Sequence, residues 1–401
     1  MALSLTEQVF LWGFIVAVLL GIVVNKTNFC TMGAVSDWVN MGSMARMRSW
    51  ALAMTTAIIA VSIIENLGIL SLDSTLPPYR SDNFAWLRNV VGGLIFGVGM
   101  TLASGCGNKA LIRLGAGNLK SVFVILTAGI FAYLMSKTSF YEIIFHPWVS
   151  ASTINLSSYS ITGQDLASFI GAIAGIENIT NLRLLSALIV SFLLLIIIFK
   201  SAPFRRDWEN IIAGIGVGIA VVAAWYITGG PLGQEWIEAM EWEEQKPIGV
   251  AVQAYTFINP MGENISFLMN PGNFLLISFG MLSLFGVITG SFLYAILSKT
   301  FRIEWFSSWR DFFTHMIGAA LMGIGGILAM GCTIGQGVTG ISTLSLGSIL
   351  AVSSIIIGSA ITMKTQYYKM VYEEASFWSA FQTALVDLHF LPNSMRKLED
   401  I

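Results

Sequence analysis

Charge is scarce in this chain of 401 residues. Asp, Glu, Lys and Arg together make up 11% of it, against about 25% in a soluble domain. That shortage, with 55% hydrophobic residues and a mean hydropathy of +0.74, excludes an ordinary soluble fold and points to an integral membrane protein. A net charge of −2 leaves no basic surface for nucleic acid. Cysteine is sparse too. Cys30, Cys106 and Cys332 are too few for a disulfide framework, and an odd number leaves at least one thiol free. The histidines, His146, His315 and His389, show no ligand spacing with the cysteines, so neither a zinc site nor a cofactor is expected. No Lys or Arg precedes the first apolar run, and Lys26 follows it. That polarity is wrong for a cleaved signal peptide, so the first helix is expected to remain.

What is present is apolar sequence in long runs. A span needs about 20 such residues, and nine stretches qualify: roughly 8–25, 48–70, 88–105, 118–136, 182–199, 210–229, 273–297, 313–331 and 344–362. The expected fold is therefore an all-α integral membrane protein of about nine transmembrane helices. Most Lys and Arg fall in one alternate set of connecting segments; Arg80, Arg88, Lys137, Arg183 and Lys246 are the exceptions. By the positive-inside rule the N-terminus is outside and the C-terminus cytoplasmic.

One phrase occurs twice. Gly92, Gly97, Gly99, Leu102, Ala103, Gly105 and Cys106 recur, 226 positions later, as Gly318, Gly323, Gly325, Leu328, Ala329, Gly331 and Cys332. With nine spans the two copies cross in opposite senses. An inverted repeat follows, spans one to four (about 8–136) against six to nine (about 210–362), with 182–199 as connector. Residues 1–364 then form a single polytopic domain and 365–401 a cytoplasmic tail, with an amphipathic helix expected over 373–391. No charge occurs between Met316 and Met363, although a turn lies there. Irregular backbone at membrane depth must be buried or line a wet cavity, so 332–343 is expected to be a re-entrant loop. The segments 137–180 and 231–272 fall outside and suit short helices or lids. The second is acidic, which should repel an approaching anion.

The cysteines carry the chemistry. An unpaired cysteine is often an inert core residue, but all three lie at helix-to-loop junctions, and Gly105 and Gly331 let the backbone approach a ligand. A disulfide between two of them stays open. Buried thiols away from cations remain protonated, which suits a soft, sulfur-bearing anion better than a metal. Hydrogen bonds to its oxygens can come from Asn108, Thr333, Gln336 and helix N-termini. Lys109 is either the positive group such an anion needs or an ordinary inside-face lysine. Asp37 is expected to cap or pair near Lys26. Gly335, Gly337 and Gly340 spell a dinucleotide fingerprint but lack its strand context, and are set aside.

Asn25 to Ala34, Ser104 to Lys109 and Gly331 to Gly337 resemble, in order, the three cysteine motifs of the YeeE/YedE family of bacterial inner-membrane proteins, a likeness running from the first span to the ninth. The resemblance implies a thiosulfate importer and not an enzyme, with Cys30, Cys106 and Cys332 as relay residues. It also implies a cytosolic sulfurtransferase (TusA-like) as partner. Relatives tied to other sulfur or selenium compounds leave the substrate open. A membrane sulfurtransferase with a persulfide cysteine is the rival reading.

Overall fold

The computed structural model describes residues 3–176 and 178–399. Among them, nine helices are long and apolar enough to cross a membrane, so the chain is an all-α membrane protein. They are span one, Leu5–Thr27; two, Ala45–Asn66; three, Trp86–Leu102; four, Lys120–Lys137; five, Ile179–Phe199; six, Trp208–Gly229; seven, Phe279–Leu297; eight, Trp309–Leu328; and nine, Leu346–Val371. A two-residue ladder, Asn83–Phe84 against Ile154–Asn155, is the one sheet among the described residues.

Local signals place the ends. Span one opens on a capping box between Ser4 and Glu7 and stops at Asn28, which takes a left-handed conformation (φ 50°). Most boundaries lie within about a turn of those read from hydropathy. Span seven begins at Phe279 rather than near 273, because Asn273 caps a separate short turn, Phe274–Leu276, and Ser278 caps the span itself. Span nine runs past 362 to Val371, there being no Gly or Pro to stop it. The tail helix covers Phe377–Asp387 and packs on span nine. The segments 137–180 and 231–272 are built of short helices. One of them, Ile258–Met269, packs against span four in a place hydropathy did not indicate.

Span three is the centre of the packing, held between spans eight and nine; span one packs on seven, two on six, and four on eight. The contact of three with eight is reciprocal. A Cβ on Gly92 would lie 2.5 Å from the Ala329 nitrogen, and one on Gly318 would lie 2.5 Å from the Ala103 nitrogen. Each contact becomes the other when 226 is added to one number and subtracted from the other. The start of each helix thus meets the end of its partner, so the two run antiparallel, with glycine at the points where only backbone fits. Span five is peripheral. It leaves Leu185, Leu188, Phe192 and Ile196 exposed, an apolar surface suited to lipid.

Candidate functional site

Spans three and eight end in the same way. Each closes with a reversed turn in which Ser104 or Met330 takes φ 57°. The next amide, that of Gly105 or Gly331, reaches back to the Met100 or Gly326 carbonyl at 2.9 and 2.8 Å. This is the Schellman arrangement, and it changes the direction of the chain just before each cysteine. A short helix then starts at once: Gly107–Gly115 after Cys106, and a largely π-helical run from Thr333 to Thr343 after Cys332. The sequence of the latter reads as a loop. It is helical because its backbone, every residue of it but one buried, satisfies its own polar groups. Cys30 stands likewise before Thr31–Met41.

All three cysteines therefore precede helix N-termini, where free N–H groups and the helix dipole favour a negative ligand. The Cys30 sulfur accepts from the Gly33 amide and that of Cys332 from the Gly335 amide, both at 3.5 Å. All are free thiols, exposed by 6%, 2% and 0% in chain order. The Cys30 and Cys106 side chains interact directly, and the Thr333 hydroxyl lies against Cys106. The three cysteine-bearing segments thus meet. Around them the Thr31 hydroxyl, the Trp50 indole N–H and the Thr256 hydroxyl are buried with no protein partner. These are donors left free for a ligand's oxygens.

Two cavities approach this centre through equivalent residues. One, of about 490 Å³, is lined by Ser104 and Gly105 together with Asn28, Lys109, Arg113 and Arg302. The other, of about 290 Å³, is lined by Met330 and Gly331 together with Arg88, Thr256 and Glu263. Neither is lined by a cysteine. Lys109 donates to Asn28 Oδ1, and Arg113 donates to the Ser104 carbonyl at 2.6 Å; the positive charge of both acts on Cys30. On the other side Arg88 donates to the Leu328 and Ile327 carbonyls at 2.7 and 3.0 Å. Glu263 accepts from Ser278 and Asn259 at 2.5 and 2.7 Å.

Of the residues singled out from sequence, Cys30, Cys106 and Thr333 come together. Gly105, Lys109 and Gly331 line cavities. Asn108 is buried behind Cys106, and the Gln336 amide turns to the Ala329 carbonyl at 2.6 Å. Asp37 does not pair near Lys26; Arg46, which the chain reversal at Gly42 brings back to it, takes it at 2.9 Å. Sequence reasoning missed Arg88, Trp50, Thr256 and Tyr79, whose phenol donates to the Gly335 carbonyl at 2.7 Å. Only Arg88 left a signal, as a lone cation at the head of an apolar run.

The sequence profile of the family described as sulphur transport matches residues 26–361, which is most of the chain and includes all three cysteines. The chain belongs to the sulphur-transport (YeeE/YedE) family. Two relatives carry the name thiosulfate transporter TsuA. To that of Escherichia coli K12 this family member is 23% identical over 343 residues, covering 81% of this chain and 85% of the relative. To that of Spirochaeta thermophila it is 24% identical over 352 residues, covering 86% and 96%.

Proposed function

We propose that this chain imports thiosulfate, or a closely related sulfur anion, across a bacterial inner membrane by transient contacts with three cysteine side chains. The observation that carries the reading is the pair of cavities that stop at equivalent Gly-Cys turns, with Cys30, Cys106 and the Cys332 segment closed between them. In this reading spans one to four and six to nine form an inverted repeat, with the N-terminus outside. The anion enters on the Arg88 side and passes Cys332, Thr333, Cys106 and Cys30 in turn. It leaves on the side of Lys109 and Arg113, whose charge draws it toward the cytoplasm. S–H groups and free N–H groups are the donors at each station, and no bond to sulfur forms. The protein is then a transporter and not an enzyme.

Moving a dianion into a negative-inside cell opposes about 2.3 kcal/mol per charge per 100 mV. Uptake therefore needs a coupled ion or prompt consumption of the product, for which a cytosolic sulfurtransferase (TusA-like) would serve. The deciding experiment is growth of a bacterial strain lacking its own uptake systems, with thiosulfate as sole sulfur source. Expression of this chain is expected to restore growth. Good expression without growth would move the assignment to another sulfur or selenium compound. A persulfide on any of the three cysteines, detected by mass spectrometry after exposure to thiosulfate, would instead favour a membrane sulfurtransferase.

A further inference from the structure

A second group of buried polar atoms lies apart from the cysteines. Asn89 on span three, Gln164 before span five, Gln336 after Cys332 and Ser348 on span nine are at most 1% exposed. Both amide atoms of Asn89, the Oε1 atoms of Gln164 and Gln336, and Ser348 Oγ have no protein partner. They fall in two pairs joined at the start of span nine. The place of a Cβ on Gly340 is 2.2 Å from Ser348 Oγ and 2.9 Å from Gln336 Oε1; that of a Cβ on Gly347, which precedes Ser348 in the chain, is 2.6 Å from Gln164 Oε1 and 2.7 Å from Asn89 Nδ2. Buried polar atoms without partners are unfavourable, and four residues from four elements sharing that condition describe a site.

The chemistry of the set narrows its ligand. An amide turned end for end keeps its shape, and turning Asn89 puts its oxygen beside that of Gln164. The set is then rich in oxygen and carries no charge. The nearest carboxylate by sequence, Asp165, is engaged by Ser168 and Arg183. Calcium and magnesium call for carboxylates; uncharged oxygens suit a monovalent cation.

We propose that Asn89, Gln164, Gln336 and Ser348 form a binding site for a sodium ion. Gln164 also lines a cavity of about 490 Å³ together with Arg88 and Met330, so the cluster borders open space on one side. The Gln336 backbone N–H donates to the Cys332 carbonyl at 2.7 Å. An ion here therefore bears on the segment that holds the third thiol, and its binding is linked to the state of that segment.

The test uses the full chain in detergent, with no sulfur anion present, and compares thermal unfolding in sodium, potassium and choline chloride at equal ionic strength. Sodium is expected to raise the midpoint progressively with its concentration, as a ligand of the native state does. Gln164→Leu and Ser348→Ala are expected to lose that rise. Should Gln164→Leu fail to fold, Ser348→Ala, which removes a single oxygen, carries the comparison. Equal midpoints in the three salts would mean that ordered water alone fills the cluster, and would overturn the site. A sodium-specific rise that survives in Ser348→Ala would overturn it as well. Because no sulfur anion is added, failure here leaves the transport reading standing, and failure of growth on thiosulfate leaves the sodium site standing.

Discussion

A cysteine sulfur at a helix N-terminus meets amide hydrogens that no helical carbonyl can take. This chain repeats that placement three times, and it spends few charges near them. Arg88 is an exception with two duties. It satisfies the last carbonyls of span eight and brings a positive charge to the cavity ending at Gly331. Arg88→Gln is expected to raise the KM of thiosulfate uptake, with Arg88→Lys intermediate, and to lower stability by about 1–3 kcal/mol through the carbonyls left bare. Initial rates across thiosulfate concentrations, with unfolding midpoints of the same variants, would check both. An unchanged KM would remove Arg88 from the path. The cysteines and their glycines were legible in the sequence because they sit in a repeated local phrase. Arg88 showed only as a lone cation; its partners lie far along the chain, and only packing brings them to it.

At the scale of helices, the crossing of spans three and eight depends on backbone meeting backbone at Gly92 and Gly318. A methyl group at either would stand 2.5 Å from the opposing backbone nitrogen, and overpacking of this kind costs about 1–3 kcal/mol. Because the two contacts are equivalent, Gly92→Ala and Gly318→Ala are expected to lower the unfolding midpoint by similar amounts. Gly272→Ala, with nothing within 4 Å of the added carbon, should be neutral. A large effect at one crossing glycine and none at the other would contradict the reciprocity. The spans themselves were readable from hydropathy, since lipid demands long apolar runs. The helix Ile258–Met269 was not; it is too short for a spanning pattern, and its place against span four is set by tertiary packing. The run after Cys332 reads as irregular backbone because its glycines and threonines argue against helix by propensity, and burial makes it helical instead.

Across the whole molecule, an ion network ties parts of the chain that are distant in sequence. Arg80 pairs with Glu65, and Arg183 reaches Asp73 at 2.8 Å and Asp165 at 3.4 Å. Adjacent backbone bonds from Leu166 to the Leu344 carbonyl and from Leu346 to the Gln164 carbonyl secure the entry to span nine. Burial works against ionisation of Asp165, but Arg183 and Arg80 outweigh it and hold the carboxyl below its ordinary range. Its contribution to stability is thus complete above the unfolded value, about 3.9, and is lost as pH falls through the lower folded value. Asp165→Asn should unfold earlier than the native chain at neutral pH, with the gap closing below about pH 4. A gap that persists in acid would assign the loss to packing instead.

The central claim is that the three thiols line one passage for a sulfur anion. Its most direct test is uptake of radiolabelled thiosulfate by proteoliposomes holding the native chain, Cys106→Ser or Cys332→Ser, with unfolding midpoints measured alongside. Uptake is expected to fall by about tenfold or more in each variant, a change of ~1.4 kcal/mol or greater, while each stays folded. Native uptake rates in both folded serine variants would contradict it.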